Sequence, residues 1–237
     1  MTQSWLITGA NRGIGLEFVK QLSAAGERII AVVRDPASAA DLTALANQHP
    51  SIAIEAADMD ERASIDALAA RLAGTPVDII FNNAGLYGGS WDNGAHRQSA
   101  GSMDYALWEQ IMRVNVMAPY QLIQRLHANL LLGTRKLVIN MSSDLGSITN
   151  NEQGQSYAYR SSKAALNMVT KGLSVELAAD GITVVSMAPG WTQTDLGGAH
   201  AHWSVEDSVA NQRKVIAGLT GADNGRFVNL LGENVPW

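Results

Sequence analysis

Thr8-Gly9-Ala10-Asn11-Arg12-Gly13-Ile14-Gly15 follows at once on a short apolar run at residues 5–8 and leads into Ile14, Phe18 and Leu22. A spacing of four puts those three side chains on one face of a helix, so the segment predicts strand, glycine turn, helix. Gly26 then ends the helix, as a glycine past a C-terminus often does. Glycines in such a turn let the backbone bend sharply and approach a pyrophosphate, whose charge sits against the helix N-terminus. Gly9, Asn11, Arg12, Gly13, Ile14 and Gly15 form the candidate cradle. The spacing is Gly-x-x-x-Gly-x-Gly, not the commoner Gly-x-Gly-x-x-Gly, and on its own it equally fits a tight connection with no ligand.

The same alternation runs outward from the turn. Residues 29–33, 52–56 and 77–81 are apolar strand candidates, separated by helical patterns at 37–47 and 61–72. Continuous apolar runs, rather than alternation, suit strands covered by helices on both faces. Beyond them Leu107, Ile111, Val114, Ala118, Leu122 and Leu126 trace a long helix near 104–132. A strand at 137–141, a helix near 157–178 and a strand at 182–187 follow. The segments 88–94 and 197–203 read as surface loops. Regular strand–helix alternation predicts a single-domain α/β fold with a doubly wound, mostly parallel sheet. Ligands on such sheets bind beyond the carboxyl ends of the strands, where strand order reverses.

Composition agrees and excludes several classes. The chain has 237 residues, 46% hydrophobic and 16% charged, which fits one domain, 1–237. Folding at that size buries roughly 70–75% of the unfolded surface without a disulfide or metal staple. There is no cysteine, which excludes a disulfide framework, a thiolate zinc site and a cysteine nucleophile. A net charge of −5 shows no basic footprint for nucleic acid. The longest aliphatic stretch, residues 29–33, falls far short of the roughly 20 residues of a membrane span. The N-terminal residues lack the pattern of a secretory signal. A cytoplasmic protein with no nucleic-acid or membrane partner is the expectation. His200-Ala-His202 completes no metal-ligand spacing, so no metal is expected.

Tyr159 and Lys163 are four apart, on one side of a helix, where an ammonium can stabilise a phenolate. A working acid/base should titrate nearer ambient pH than a free tyrosine. Lowering its pKa by about 3 units needs roughly 4 kcal/mol in favour of the anion. Lys163 and the positive charge of a bound ligand together are the expected source. A surface Tyr–Lys pair is the bland alternative. Tyr157 has Ser161 four residues on and no cation, so it reads as packing or pocket lining. No Gly-x-Ser-x-Gly surrounds Ser142 or Ser143, which argues against a hydrolase.

Taken together, Gly9-x-x-x-Gly13-x-Gly15, Asn82-Asn83-Ala84-Gly85, Ser143 and Tyr159-x-x-x-Lys163 stand in the order used by short-chain dehydrogenases/reductases, and the resemblance covers nearly the whole chain. The segments 141–147, 157–168 and 189–198 and the closing Val235-Pro236-Trp237 resemble the C-factor and sniffer group of carbonyl reductases. The resemblance implies a Rossmann fold with seven strands and a catalytic set of Asn115, Ser143, Tyr159 and Lys163. Ser143 rather than Ser142 would bind the substrate oxygen, and Lys163 would also hold the nicotinamide ribose. Asn115 would link Lys163 to solvent as a proton relay; an amide satisfied by nearby backbone is its alternative. Asp58 and Met59 would meet the adenine, and Asn83, Ala84 and Gly85 the adenosine ribose. Pro189, Gly190, Thr192 and Thr194 would meet the nicotinamide end.

The end of the second strand bears on cofactor choice. An acid there binds the ribose diol, whereas an arginine accommodates a 2′-phosphate. Val33 offers no acid, while Arg34, with Arg12 in the turn, offers planar phosphate recognition. NADP(H) is the preferred cofactor. NAD(H) stays open, because Asp35 either caps the next helix or competes for the ribose. The expected reaction is reduction of a small-molecule carbonyl, with Tyr159 as general acid/base. The alternative is a C-factor-type signalling or regulatory protein that binds the dinucleotide with little turnover. Leu86, Tyr87, Trp91, Trp191 and residues 196–203 suggest an apolar substrate wall, with 191–215 as a lid. Apolar positions beyond one face of the two long helices point to a homodimer or homotetramer.

Overall fold

The computed structural model describes residues 2–90 and 94–237. In chain order the elements are β1 (Ser4–Thr8), α1 (Gly13–Ala24), β2 (Arg28–Val33), α2 (Ala40–Gln48), β3 (Ile52–Ala56), α3 (Arg62–Arg71), β4 (Ile79–Asn82), α4 (Tyr105–Met112), α5 (Ala118–Arg125), α6 (His127–Leu132), β5 (Leu137–Met141), α7 (Tyr157–Glu176), β6 (Thr183–Ala188), α8 (Val205–Gly218) and β7 (Phe227–Asn229). Seven parallel strands lie in the order β3-β2-β1-β4-β5-β6-β7. Strand order reverses between β1 and β4, so the crevice opens at the ends of those two strands.

Both sheet faces are buried, which explains the unbroken apolar runs. Ile7, Ile29, Phe81 and Ile139 point to the layer built with Phe18, Leu42 and Val209 from α1, α2 and α8. Their neighbours Leu6, Ile30, Ile80 and Val138 point to the other layer, with Leu68, Leu122 and Leu173 from α3, α5 and α7. No described helix is long and apolar enough to cross a membrane.

The expected long helix near 104–132 is not continuous. A π turn at Arg113–Met117 separates α4 from α5, and the chain breaks again at Leu126 before α6. A π turn fits one extra residue into the helical path and so re-aims the side chains on it. The expected lid at 191–215 is also divided. Its later part is the start of α8, whose Val209 is fully buried, so only residues 191–204 form a loop. Trp91 lies outside the described residues.

A polar ladder inside the sheet fixes α7. Asn82 donates to Asn140 (2.8 Å), Asn140 to Thr170 on α7 (2.9 Å), and Ser186 to the same hydroxyl (2.9 Å). Buried amides and hydroxyls that satisfy one another hold the helix in one register on β4, β5 and β6.

Candidate active site

The glycine turn is held shut by its own surroundings. A Cβ on Gly15 would come within 2.2 Å of the Gly9 carbonyl oxygen, so only glycine fits there. Thr8 Oγ1 accepts from the amides of Asn83 (3.1 Å) and Ala84 (3.0 Å), and Asn83 Nδ2 donates to the carbonyls of Thr8 (2.9 Å) and Gly9 (3.2 Å). The Asn83 side chain is therefore occupied in tying β4 to the turn. Arg12 is the N-cap of α1 but makes no side-chain cap bond, and the first turn carries no acid. The α1 N-terminus thus presents amides and partial positive charge with nothing of its own to neutralise them, which fits a dinucleotide pyrophosphate.

Arg34 is exposed at the end of β2, while Asp35 accepts from the Ala37 amide (3.0 Å) as a helix cap. Of the two roles left open for Asp35, capping is the one its contacts display. Asp58 is turned inward to the amide of Asp60 (2.9 Å), and its own amide is held by Ser64 (2.9 Å). Arg12 is paired with Asp195 at 2.6 Å.

Across the crevice, α7 brings Tyr159 and Lys163 to one side, both buried. The Lys163 ammonium stands 5.5 Å from the centre of the Tyr159 ring and donates to the Met141 carbonyl at 2.7 Å. It also lies 3.6 Å from where a Cβ on Gly85 would be, and Asn115 Oδ1 lies 3.7 Å from the same point. Lys163, Asn115 and Gly85 thus converge at the mouth of the crevice. Asn115 is satisfied by backbone on one side, accepting from Leu86 N (2.7 Å) and donating to Leu86 O (2.9 Å), and it donates to Ser162 (3.0 Å).

The two serines divide their work. Ser142 is buried and donates to Asn167 on α7 (2.7 Å), whereas Ser143 opens the turn after β5 and keeps its hydroxyl beside Tyr159. Gly146 allows that turn to press on α7; a Cβ there would meet Lys163 Cβ at 2.9 Å. Tyr157 is exposed, not packed in a pocket as expected, because α7 begins at it and turns it outward.

Burial pulls the Lys163 ammonium down to about 8. Burial also pushes the Tyr159 phenol above its ordinary value; the Ser143 hydroxyl opposes this, and Tyr87 and Asp144 add to it. The chain's own groups therefore keep the phenol protonated; the expected downward shift rests on a bound cation as well as on Lys163. Lys163 aims its hydrogen bond at a carbonyl rather than at the phenol oxygen, and desolvation dominates.

Two residues that support Tyr159 left no local signal. Gln98, fully buried, accepts from the Tyr159 amide (2.9 Å) and so caps the start of α7 from a distant segment. Tyr87, expected in the substrate wall, packs edge-on against Tyr159 with ring centres 5.0 Å apart and shares a hydrogen bond with Ser156 (2.8 Å). Ser156 itself adopts a left-handed backbone (φ 47°), a strained conformation immediately before the helix that carries the phenol.

After β6 the loop at 191–204 folds over the glycine turn. Thr192 is buried and bonded to Ser208 (3.0 Å), Trp191 Nε1 donates to Gly197 O (2.7 Å), and Thr194 Cγ2 lies 3.3 Å from the Cβ position of Gly13. Pro189 and Gly190 lead into this loop from the end of β6. The residues expected at the nicotinamide end thus reach back to the glycine turn.

Fold and site together define a dinucleotide-binding α/β oxidoreductase. The short chain dehydrogenase family model matches residues 3–204, and the chain belongs to that family. It is 37% identical over 171 residues to C-signal of Myxococcus xanthus, covering 72% of this chain and 99% of that one. NADPH-bound carbonyl reductase from chicken fatty liver superposes with a TM-score of 0.90 at 34% identity, covering 100% and 99% of the two chains. Carbonyl reductase Sniffer of D. melanogaster gives 0.91 at 32% identity, with 100% of both chains covered. Within the family the chain is C-factor- and sniffer-like, an enzyme that uses a nicotinamide dinucleotide.

Proposed function

We propose that the protein is an NADP(H)-dependent carbonyl reductase acting on a small apolar ketone or aldehyde. The convergence of Ser143, Tyr159, Lys163 and Asn115 on the crevice beside Gly85 carries the reading. A bound reduced nicotinamide supplies the hydride equivalent. Ser143 and Tyr159 bind and orient the carbonyl oxygen, and Tyr159 gives it a proton as the alcohol forms. A phenol held protonated by burial is the right form for that donation. Lys163, poised near 8, restores the proton, with Asn115 as its link toward solvent. Burial of the pair keeps water from competing for the phenol.

Two observations support the phosphorylated cofactor. One oxygen of Asp35 is engaged as a cap, and Arg34 is exposed at the adenosine end with no ion pair among the described residues. Asp58 and Met59 would flank the adenine, and Ala84 and Gly85 its ribose. NADP-bound structures among the carbonyl reductase neighbours agree with this choice. The loop at 191–204 is the substrate cover. Exposed Met117, Met168 and Val175 on the π turn and α7 form the face for a homodimer or homotetramer, and a cytoplasmic location fits the composition.

Tyr159→Phe should nearly abolish reduction of a carbonyl panel while leaving NADPH binding intact; retained turnover would contradict the assignment. Arg34→Ala should raise KM for NADPH much more than for NADH. The likeness to C-signal favours a second reading, a regulatory dinucleotide sensor. Tight NADPH binding with no turnover on any carbonyl would select it.

A further inference from the structure

We propose that Asp195 sets the preference between phosphorylated and unphosphorylated dinucleotide, by holding Arg12 away from the 2′-phosphate. The inference rests on reading Arg12 and Arg34 as the phosphate-recognising pair, and it adds a residue that opposes them. Arg12 Nη1 and Asp195 Oδ2 are 2.6 Å apart although 183 residues separate them in the chain. The two ends of this pair differ in freedom. Arg12 sits on an extended backbone and makes no cap bond, so its guanidinium can swing outward. Asp195 is carried by a folded loop. The amides of Gly197 and Gly198 donate to Thr194 Oγ1 (3.1 Å) and Thr194 O (2.8 Å), and Thr194 rests on Gly13.

The backbone that carries the carboxylate is therefore held over the glycine turn, and Arg12 must leave Asp195 to meet a phosphate. No other cation pairs with Asp195 among the described residues, nor any other acid with Arg12. A 2′-phosphate faces two costs at this point: it competes for the guanidinium, and its charge is repelled by the carboxylate that remains. An unphosphorylated ribose faces neither. Both side chains are largely exposed, at 70% and 77%, so solvent screens the pair and the effect is a few-fold one.

The test is equilibrium binding of NADP+ and NAD+ by titration calorimetry at low ionic strength, which needs no turnover. Asp195→Asn should tighten NADP+ about two- to fivefold and leave NAD+ nearly unchanged, with the difference fading at high salt. Arg12→Ala should weaken NADP+, and adding Asp195→Asn to it should then bring only the part of the gain that comes from relieved repulsion. Unchanged or weaker NADP+ binding in Asp195→Asn overturns the inference. So does an equal gain for both dinucleotides, which would place the repulsion at the shared pyrophosphate, or a full gain in the Arg12→Ala background. Should the unaltered protein bind neither dinucleotide, the parent reading fails and this one with it.

Discussion

The two ends of the sheet each bury a charge, and they treat it differently. At the amino end, Asp78 precedes β4 and accepts from the amide and hydroxyl of Ser4 (2.8 and 2.9 Å), the amide and hydroxyl of Thr134 (2.6 and 2.9 Å) and the amide of Arg135 (3.3 Å). Burial alone would raise its pKa, but those donors outweigh it and take the group down to about 2. At the carboxyl end, Lys163 is just as buried and has one protein acceptor among the described residues, the Met141 carbonyl. No further acceptor or carboxylate among the described residues offsets its desolvation, and it falls to about 8. A charge with a full set of partners is a structural fixture. A charge left short of partners keeps capacity for a ligand or a proton, at a cost in stability.

Lys163→Met should separate the two roles most sharply. Turnover should fall roughly 10²–10⁴-fold. The thermal midpoint at pH 7 should hold or rise, because an apolar chain of similar length carries no desolvation penalty. Kinetics and a melting curve on one preparation check both halves, and a midpoint several degrees lower would break the comparison. Asp78→Asn should do the reverse. The fall from 3.8 to about 2 corresponds to about 2 kcal/mol of stability at neutral pH. For a chain of this size that lowers the midpoint by roughly 4–8 °C. Turnover per folded molecule should stay within about twofold of the parent at 25 °C, since Asp78 is remote from the crevice.

The same contrast explains what could be read from the chain. The glycine turn, α1 and strands β1 to β6 were legible because their signals are local: apolar runs, four-residue spacing, glycines where backbone must bend. Tyr159 and Lys163 were legible as a pair for the same reason. What escaped depends on distant polar partners. Nothing around Gln98 announces that it caps α7, and Asn140 looks like a blemish in a strand until Asn82 and Thr170 flank it. Ser142 and Ser143 are told apart by distant partners, Asn167 taking the first and Tyr159 lying beside the second. Apolar periodicity carried the helix straight through the π turn at Asn115, which spacing alone does not report. The pairing of Arg12 with Asp195 has no local trace, and the direction of the Tyr159 shift depended on burial that spacing does not report. β7, three residues long, was expected only through family resemblance.

The smallest effect is the most discriminating, because the two charges should shape different limbs of one stability–pH curve. Asp78 titrates lower folded than unfolded, so its contribution is complete above about 4 and drains away as pH falls toward 2. Lys163 also titrates lower folded than unfolded, about 8 against 10.5, but here the charged form is the burdened one. Its penalty is present in full below 8 and lifts as pH climbs from 8 toward 10.5. In both windows the unfolded chain binds more protons, so stability rises with pH; the acid limb loses a gain, and the alkaline limb sheds a cost. Chemical denaturation from pH 2.5 to 5 and from 7.5 to 9.5 should therefore show Asp78→Asn flattening only the first limb. Lys163→Met should flatten only the second, by about 2 kcal/mol. Keeping below 9.5 avoids Tyr159, whose raised pKa makes stability fall once unfolded tyrosine begins to ionise near 10. If Lys163→Met left the alkaline limb intact, the ammonium would not be short of partners after all, and its readiness to pass a proton would need another source.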